Sequence, residues 1–358
     1  MKKLFMLLVL LALAAPALSR DWYVPLDPDA PFRSKYNVFE RAGVAAGDSF
    51  ALAVSVRGWI LKTDARGKVS WQIKSPCTPT AAPGFDAQMA AYACENGEMV
   101  ALDLENGKQL WKFAFNDSVA SAPAFHEEVL IFQTGDGRVI ALNRQDGKIK
   151  WLARQASRHN LSLRAAGRPL VIENVVYVGM ADGNFAALKL DNGDLVWKRR
   201  FFDQPITADL DFPLLADDKA VYASSIEGLC AISRASGKNY WCLDEQLALG
   251  PAQDENSIYA LNTANEVLVV DKLAGVVNKR IRVKESALAK AERERPLALF
   301  KNDQGLIALF STKMVRLKQP DYSAKRAKTF LVPVERADLS GKTLYLLNSQ
   351  GYLTITNF

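Results

Sequence analysis

Histidine is nearly absent from this sequence of 358 residues, which contains only His126 and His159. The sequence therefore offers few residues for a catalytic triad that uses histidine or for a metal centre built from several histidines. The chain has four cysteines; none is adjacent to another, and their spacing does not match a zinc ribbon. The G-x-G at Gly135 and Gly137 precedes a predicted hairpin and not a helix, so it does not indicate a phosphate-binding loop.

Long hydrophobic runs are also missing beyond the first residues of the chain. Lys2 and Lys3 precede an apolar run over residues 4–15, and small residues follow at Ala17 and Ser19. This pattern is typical of a secretory signal peptide over residues 1–19, since the run is shorter than the roughly 20 residues that cross a bilayer. No cysteine lies near the predicted cleavage site, so no lipid attachment is expected and the mature chain is predicted to be soluble.

Neither sign of charge dominates the composition. The chain has 45 Lys and Arg against 39 Asp and Glu, a net charge of +6, which becomes +4 once Lys2 and Lys3 are removed with the signal peptide. So small and scattered an excess argues against nucleic acid as a partner.

A tryptophan repeat dominates what is present. Five segments share a glycine turn, a short apolar strand, a second glycine turn and a tryptophan, and they end at Trp71, Trp111, Trp151, Trp197 and Trp241. The tryptophans are 40, 40, 46 and 44 residues apart, which suits one four-stranded propeller blade. Turns of the Asn-Gly or Asp-Gly type supply the positive φ angles of tight hairpins. We expect the tryptophans to pack between neighbouring blades, in preference to lining a ligand site.

Weaker copies at residues 264–279, 312–319 and 349–358 bring the count to eight. Their inner turns lie near Gly58, Gly97, Gly137, Gly183, Gly228, Asn265, Lys313 and Gly351. The sequence therefore predicts an all-β fold, an eight-bladed β-propeller of four-stranded antiparallel blades, as a single domain over residues 20–358.

The last unit contains only three candidate strands, near residues 330–334, 343–348 and 352–357. An open sheet edge invites aggregation, so the alternating segment at residues 21–26 is predicted to supply the fourth strand and close the ring. Residues 284–295 are rich in Ala, Glu, Lys and Arg and stop before Pro296, which predicts a short surface helix.

Disulfides are the expected use of the cysteines in an exported chain. Cys230 and Cys242 flank a tight turn within one predicted hairpin, which places them within disulfide reach. Cys77 with Cys94 is a plausible second pair. A diagonal pairing remains open at this point.

The core A-L-D-x-x-x-G-K-x-x-W, clearest at residues 101–111, resembles the tryptophan-docking repeat of pyrroloquinoline-quinone (PQQ) propellers. Within that superfamily, the length, the export signal and the eight units are most similar to the BamB family of outer-membrane β-barrel assembly factors. The resemblance implies a non-enzymatic periplasmic scaffold without cofactor, catalytic residues or metal. It implies BamA as the partner, bound through a POTRA domain, with nascent outer-membrane proteins as further clients and membrane association only through the partner.

Two segments between blades resemble the family's partner-binding segments. They are RHNLSLRAAGRP at 158–169 and TADLDFP at 207–213, and they carry over the contact residues Leu161, Leu163, Arg164, Asp209 and Asp211. Leucines at i and i+2 of an extended segment would point the same way, and one of the aspartates could orient the arginine. The alternative is that the leucines are core residues and the aspartates cap turns.

Two other functions stay open at this stage. One is a PQQ-dependent oxidoreductase, although the chain is shorter than those enzymes and lacks the adjacent cysteine pair that many of them carry. The other is a soluble propeller with a different periplasmic partner.

Overall fold

A computed structural model describes residues 21–28, 43–55, 57–115, 117–119, 121–154, 167–180, 183–200, 212–283 and 294–357, with only the backbone of residues 325–327. All regular structure within these ranges is β. The strands form eight antiparallel sheets of four, which confirms the predicted eight-bladed propeller. No helix of the described residues is long and apolar enough to span a membrane.

The chain begins with β1 (Trp22–Pro25) and then builds the blades in order. Blade 1 comprises β2 (Gly43–Ala46), β3 (Phe50–Val54), β4 (Trp59–Asp64) and β5 (Val69–Lys74), and blade 2 comprises β6 (Gly84–Phe85), β7 (Met89–Ala93), β8 (Glu98–Asp103) and β9 (Gln109–Ala114). Blade 3 comprises β10 (Ala124–His126), β11 (Val129–Gln133), β12 (Arg138–Asn143) and β13 (Ile149–Arg154). Blade 4 comprises β14 (Leu170–Ile172), β15 (Val175–Gly179), β16 (Asn184–Lys189) and β17 (Leu195–Arg200).

The second half of the ring follows the same plan. Blade 5 comprises β18 (Leu215–Ala216), β19 (Ala220–Ser225), β20 (Gly228–Ser233) and β21 (Asn239–Asp244), and blade 6 comprises β22 (Ala252–Gln253), β23 (Ser257–Leu261), β24 (Glu266–Asp271) and β25 (Val277–Arg282). Blade 7 comprises β26 (Pro296–Asn302), β27 (Gly305–Phe310), β28 (Lys313–Lys318) and β29 (Ser323–Thr329). Blade 8 takes three strands from this end of the chain, β30 (Val334–Ser340), β31 (Thr343–Asn348) and β32 (Tyr352–Asn357).

The strand from the other end of the sequence completes blade 8. β1 pairs antiparallel with β32, with Trp22 opposite Ile355 and Pro25 opposite Tyr352. Lys328 of blade 7 reinforces this edge, since its Nζ lies 2.6 Å from a carboxylate oxygen of Asp21. The predicted closure by residues 21–26 is therefore confirmed.

The first strand of blade 8 was placed wrongly by the sequence pattern. It covers Val334–Ser340, not residues 330–334. The apolar run at 330–334 suggested a strand, but the inner strand is the more polar segment that follows it, in which the Asp338 carboxylate accepts a hydrogen bond from the Ala46 backbone N–H at 2.8 Å. The helix predicted at 284–295 falls mostly outside the described residues, and its last two positions, Glu294 and Arg295, are not helical.

First strands of neighbouring blades contact one another, as β2 contacts β30 and β6 contacts β10, so these strands surround the axis. The fourth strand of each blade lies at the circumference. We call the face where a fourth strand ends and the next blade begins the linker face. The opposite face, which carries the turns between third and fourth strands, is the turn face.

The core is divided among the seams between blades. Each of the eight buried apolar clusters combines residues of two neighbouring blades, for example Trp111 and Ala91 of blade 2 with Phe132 and Ile140 of blade 3. Apolar burial at every seam stabilises the closed ring as a unit.

The repeated tryptophans pack in these seams between neighbouring blades, as predicted. In each of the five, the indole Nε1 donates to a backbone carbonyl in the next blade's turn between third and fourth strands, at 2.7 to 3.0 Å. The ring lies against the glycine of that turn; a Cβ on Gly147 would be 2.6 Å from Trp111 Cε3. Glycine is needed there both for this close approach and for its φ of +71°.

Trp22 occupies the sixth such position, which the sequence pattern did not reveal. Its place opposite Ile355 corresponds to that of Trp71 opposite Lys62. A Cβ on Gly67 of blade 1 would lie 2.9 Å from the Cβ of Trp22. The closing strand therefore contributes a docked tryptophan as well as hydrogen bonds.

At the seam between blades 6 and 7, a lysine replaces the tryptophan. Lys279 lies opposite Val269 at the repeat position. Its Nζ donates to the Asp321 carbonyl at 3.0 Å and sits 5.0 Å from the centroid of the Tyr322 ring. One cation thus makes both the carbonyl contact and an aromatic contact across the seam.

Candidate partner-binding surface

Two long connections between blades start and end at the linker face. β13 ends at Arg154 and β14 begins at Leu170, while β17 ends at Arg200 and β18 begins at Leu215. By contrast, the connections from blade 1 to 2 and from blade 2 to 3 cover only residues 75–83 and 115–123. The wider tryptophan spacings of 46 and 44 residues therefore reflect extra chain at the linker face of blades 3 to 5.

The five predicted contact residues belong to these connections. Leu161, Leu163 and Arg164 fall within residues 155–166, and Asp209 and Asp211 within residues 201–211, which lie outside the described residues. Their side-chain directions and the predicted bond between Arg164 and an aspartate stay predictions.

The described ends of both segments are fixed to the ring. Gln133 of blade 3 is buried, and its amide nitrogen donates to the Gly167 carbonyl at 3.1 Å. At the second segment, Phe212 packs against the core between blades 5 and 6. Pro213 lies so close to Gly250 that a Cβ there would be 2.5 Å from the proline Cδ. Both segments therefore leave the ring from rigid positions.

Arg168, at the end of the first segment, interacts electrostatically with a carboxylate on the opposite side of the ring. It directly precedes the inner strand of blade 4, and Asp338 lies in the inner strand of blade 8. Desolvation lowers the pKa of Arg168 and Asp338 opposes this effect. Burial raises the pKa of Asp338, while the backbone N–H groups of Ala46 and Leu339 and the charge of Arg168 act in the other direction. The central channel therefore contains opposite charges near its inner strands.

Next to blade 3, the linker face carries a paired charge cluster. Arg138 Nε lies 2.8 Å from Asp136, and its guanidinium lies 3.6 Å from Asp117. Burial raises the pKa of Asp136, but hydrogen bonds from Arg138 and Thr134, together with the contact to Asp117, outweigh it and lower the pKa to about 2. The arginine is therefore neutralised within the ring's own surface.

Both predicted disulfides are present. Cys77 and Cys94, with Cα atoms 5.7 Å apart, tie the connection between blades 1 and 2 to a turn of blade 2. Cys230 and Cys242 are direct cross-strand partners in blade 5, with Cα atoms 4.1 Å apart. The diagonal pairing is thereby excluded.

In the portion that the structure describes, no three His, Cys, Asp or Glu side chains come together in a way that could hold a metal ion. His126 lies in β10, and His159 lies in the undescribed part of the first connection.

Comparison with known proteins gives consistent results. A profile of the family described as outer membrane protein assembly factor BamB matches residues 56–280. The BamB of Legionella pneumophila (strain Paris) is 23% identical over 202 residues, which cover 54% of this chain and 51% of that protein. The BamB of Alkalilimnicola ehrlichii is 27% identical over 122 residues, about a third of each chain (32%). The matched stretches thus span about half or less of these relatives.

The fold likeness extends further than the sequence likeness. The crystal structure of BamB from Moraxella catarrhalis superimposes with a TM-score of 0.80 and 17% identity, covering 94% of this chain and 98% of that one. The repeat, the eight blades and the profile match over residues 56–280 agree, and the chain belongs to the BamB family of outer membrane protein assembly factors.

Proposed function

We propose that this chain is a non-enzymatic scaffold of outer-membrane β-barrel assembly, which acts in the periplasm and binds a POTRA domain of BamA. Membership of the BamB family supports the assembly role. The observation that carries the proposed site is the pair of long connections, which leave the same face of three consecutive blades from fixed ends.

On this proposal, the ring acts as a rigid frame for two loops. Leu161 and Leu163 supply an apolar anchor, Arg164 supplies planar hydrogen-bond donors, and Asp209 and Asp211 add carboxylates on the neighbouring connection. Interfaces concentrate their binding energy in a few such anchors surrounded by polar groups. A closed propeller with buried seams holds the ends of both connections at constant positions relative to each other, which lowers the entropy cost of binding two segments at once.

Pulldown of BamA from the same organism tests the site. We expect Leu163→Glu and Asp211→Lys each to weaken binding at least tenfold, about 1.4 kcal/mol or more, as substitution of an interface anchor usually does. Leu110→Glu and Asp218→Lys are matched controls, since Leu110 is exposed on the outer strand of blade 2 and Asp218 is exposed on the turn face of blade 5.

The controls should bind like the wild type. Equal binding by the wild type, Leu163→Glu and Asp211→Lys would remove the two connections from the interface. If the wild type itself fails to capture BamA, the partner assignment is wrong whatever the variants do.

A further inference from the structure

The two disulfides of the ring differ in what they join. Cys77–Cys94 holds the connection between blades 1 and 2 against a turn of blade 2. Cys230–Cys242 instead joins β20 and β21, two strands that already pair residue by residue on both sides of the cysteines. It therefore adds a covalent bond to a hairpin that the backbone ladder holds together in any case.

The repeat shows that this hairpin does not need a disulfide. At the same position, Val100 lies opposite Lys112 in blade 2, and Leu268 lies opposite Arg280 in blade 6. In both pairs the residue of the third strand is buried and the residue of the outer strand is exposed. Opening the bond in blade 5 should therefore leave the ring intact.

The two cysteines of this pair differ in accessibility. Cys230 is 0% exposed and belongs to the apolar cluster between blades 4 and 5, whereas Cys242 is exposed on the outer strand. The equivalent side chains of Lys112 and Arg280, which follow fully described connections, are 57% and 47% exposed. Exposure at this position is therefore a property of the blade architecture.

The other disulfide lacks such an exposed cysteine. Cys94 is 0% exposed, and Cys77 is half-buried, with its Sγ 3.2 Å from the hydroxyl of the buried Ser75. All four cysteines of the chain lie in the described ranges, and Cys242 alone among them is exposed. Thiol–disulfide exchange requires an attacking thiolate to reach one of the two sulfurs. External thiols therefore have their best access at Cys242.

We propose that Cys230–Cys242 is a thiol–disulfide exchange site, at which an external dithiol opens the cross-link while the ring stays folded. The first thiolate of the dithiol forms a bond to Cys242 Sγ. The bond between Cys242 and Cys230 breaks, and its electron pair leaves on Cys230 Sγ, which takes up a proton. This inference goes beyond the proposed function and does not depend on BamA.

The geometry of the pair favours a dithiol over a monothiol. Cys230 stays directly opposite Cys242, with Cα atoms 4.1 Å apart, so its sulfur can return to Cys242 and expel a monothiol. The second thiolate of a dithiol instead attacks its own first sulfur and releases Cys242 as a thiolate. Asn239 stabilises this thiolate, since its Nδ2 lies 3.2 Å from Cys242 Sγ. Two electrons thus pass from the dithiol, which becomes a disulfide, to the two cysteines.

Reduction of the folded protein tests the site. The full chain is treated with dithiothreitol for increasing times, quenched with acid, freed of reductant, unfolded, alkylated and mapped by peptide mass spectrometry. Cys230 and Cys242 should become alkylated faster than Cys77 and Cys94 by a factor of about ten or more, because access limits exchange. In guanidinium chloride the two pairs should react at similar rates, which controls for intrinsic reactivity.

Two outcomes of this measurement would overturn the proposal. One is equal reduction of both disulfides in the folded protein, and the other is resistance of both. The chain in which only Cys230–Cys242 is reduced should keep the far-UV circular dichroism of the oxidised protein, and loss of that spectrum would also overturn it. Reduced glutathione at the same thiol concentration should leave most chains oxidised, and a stable glutathione adduct on the wild type would refute the dithiol step.

Two single variants test which sulfur is attacked. In Cys230→Ala, the thiolate of Cys242 should attack oxidised glutathione, release one reduced glutathione and retain the other as a stable mixed disulfide. Cys242→Ala is the matched control, in which the buried Cys230 should form no adduct while the ring is folded and should form one in guanidinium chloride. Equal rates of adduct formation in the two folded variants would refute the assignment of the attacked sulfur to Cys242. Far-UV circular dichroism checks that both variants are folded.

Discussion

Gly147→Ala should show how much of the stability of the ring depends on tryptophan docking. Gly147 has a φ of +71°, and a Cβ added there would lie 2.6 Å from Cε3 and 2.7 Å from Cδ2 of Trp111. The indole cannot retreat easily, because it is buried in the seam between blades 2 and 3 and its Nε1 is held 2.7 Å from the Arg144 carbonyl. The added methyl group must therefore displace a packed ring or the turn itself.

The expected cost has two parts. Left-handed backbone in a residue with a side chain costs about 1 kcal/mol, and forcing an extra carbon into a packed seam costs about 1 to 3 kcal/mol. Gly147→Ala should therefore lower the free energy of unfolding by about 2 to 4 kcal/mol. Gly341→Ala is the matched control, since Gly341 also has positive φ, +56°, but no atom lies within 4 Å of its added Cβ. It should cost only about 1 kcal/mol.

Urea unfolding followed by tryptophan fluorescence and by circular dichroism provides the free energies, provided that the two transitions coincide. A second measurement isolates the clash: in a Trp111→Leu background, Gly147→Ala should cost no more than Gly341→Ala does. Equal losses for Gly147→Ala and Gly341→Ala in the wild-type background would refute the reasoning, because backbone strain alone would then account for both.

Three further predictions concern closure, pH and the cross-links. Trp22→Ala should destabilise the ring by about 2 kcal/mol, below the value for a fully buried tryptophan because Trp22 is partly exposed, and should speed proteolysis near the N-terminus. The pKa of Asp136 is lowered to about 2, so the contribution of its carboxylate to stability should be complete above about pH 4 and lost as the pH falls toward 2. The urea unfolding midpoints of the wild type and of Asp136→Asn should therefore converge when the pH is lowered. Replacing Cys77 and Cys94 with alanine should cost about 3 kcal/mol relative to the oxidised wild type, with the reduced wild type as the control that has lost both disulfides.

The sequence was most informative where the repeat combines a tryptophan with a glycine turn. That pairing has a local cause, since the turn needs positive φ and the indole needs a surface without a side chain, so five seams could be predicted from residue types and spacing. Trp22 escaped notice because its partner, Gly67, becomes its neighbour only when the two ends of the chain meet. Lys279 escaped notice because a cation can replace the indole only if an aromatic ring lies opposite, here Tyr322.

Sequence pattern was less informative about inner strands and connections. The inner strand of blade 8 contains Glu335, Arg336 and Asp338, and its polarity reflects the central channel and not a surface loop. A search for alternating hydrophobic residues therefore does not identify a strand that lines the central channel. The directions of Leu163 and Asp211 depend on connections whose path is not fixed by any repeat, so residue type alone left both contact and core as options.

The two faces of the ring are under different constraints, and this difference explains where new binding residues can arise. The turn face must keep glycines of positive φ beneath docked indoles, so its turns between third and fourth strands are short and similar. The connections between blades on the linker face carry no such requirement, and they range from residues 330–333 to residues 26–42. Since flexible loops lengthen at a cost of only about 0.6 kcal/mol per doubling, insertions there leave the seams intact. Long connections such as those of blades 3 to 5 are therefore places where this fold can gain a partner without losing its ring.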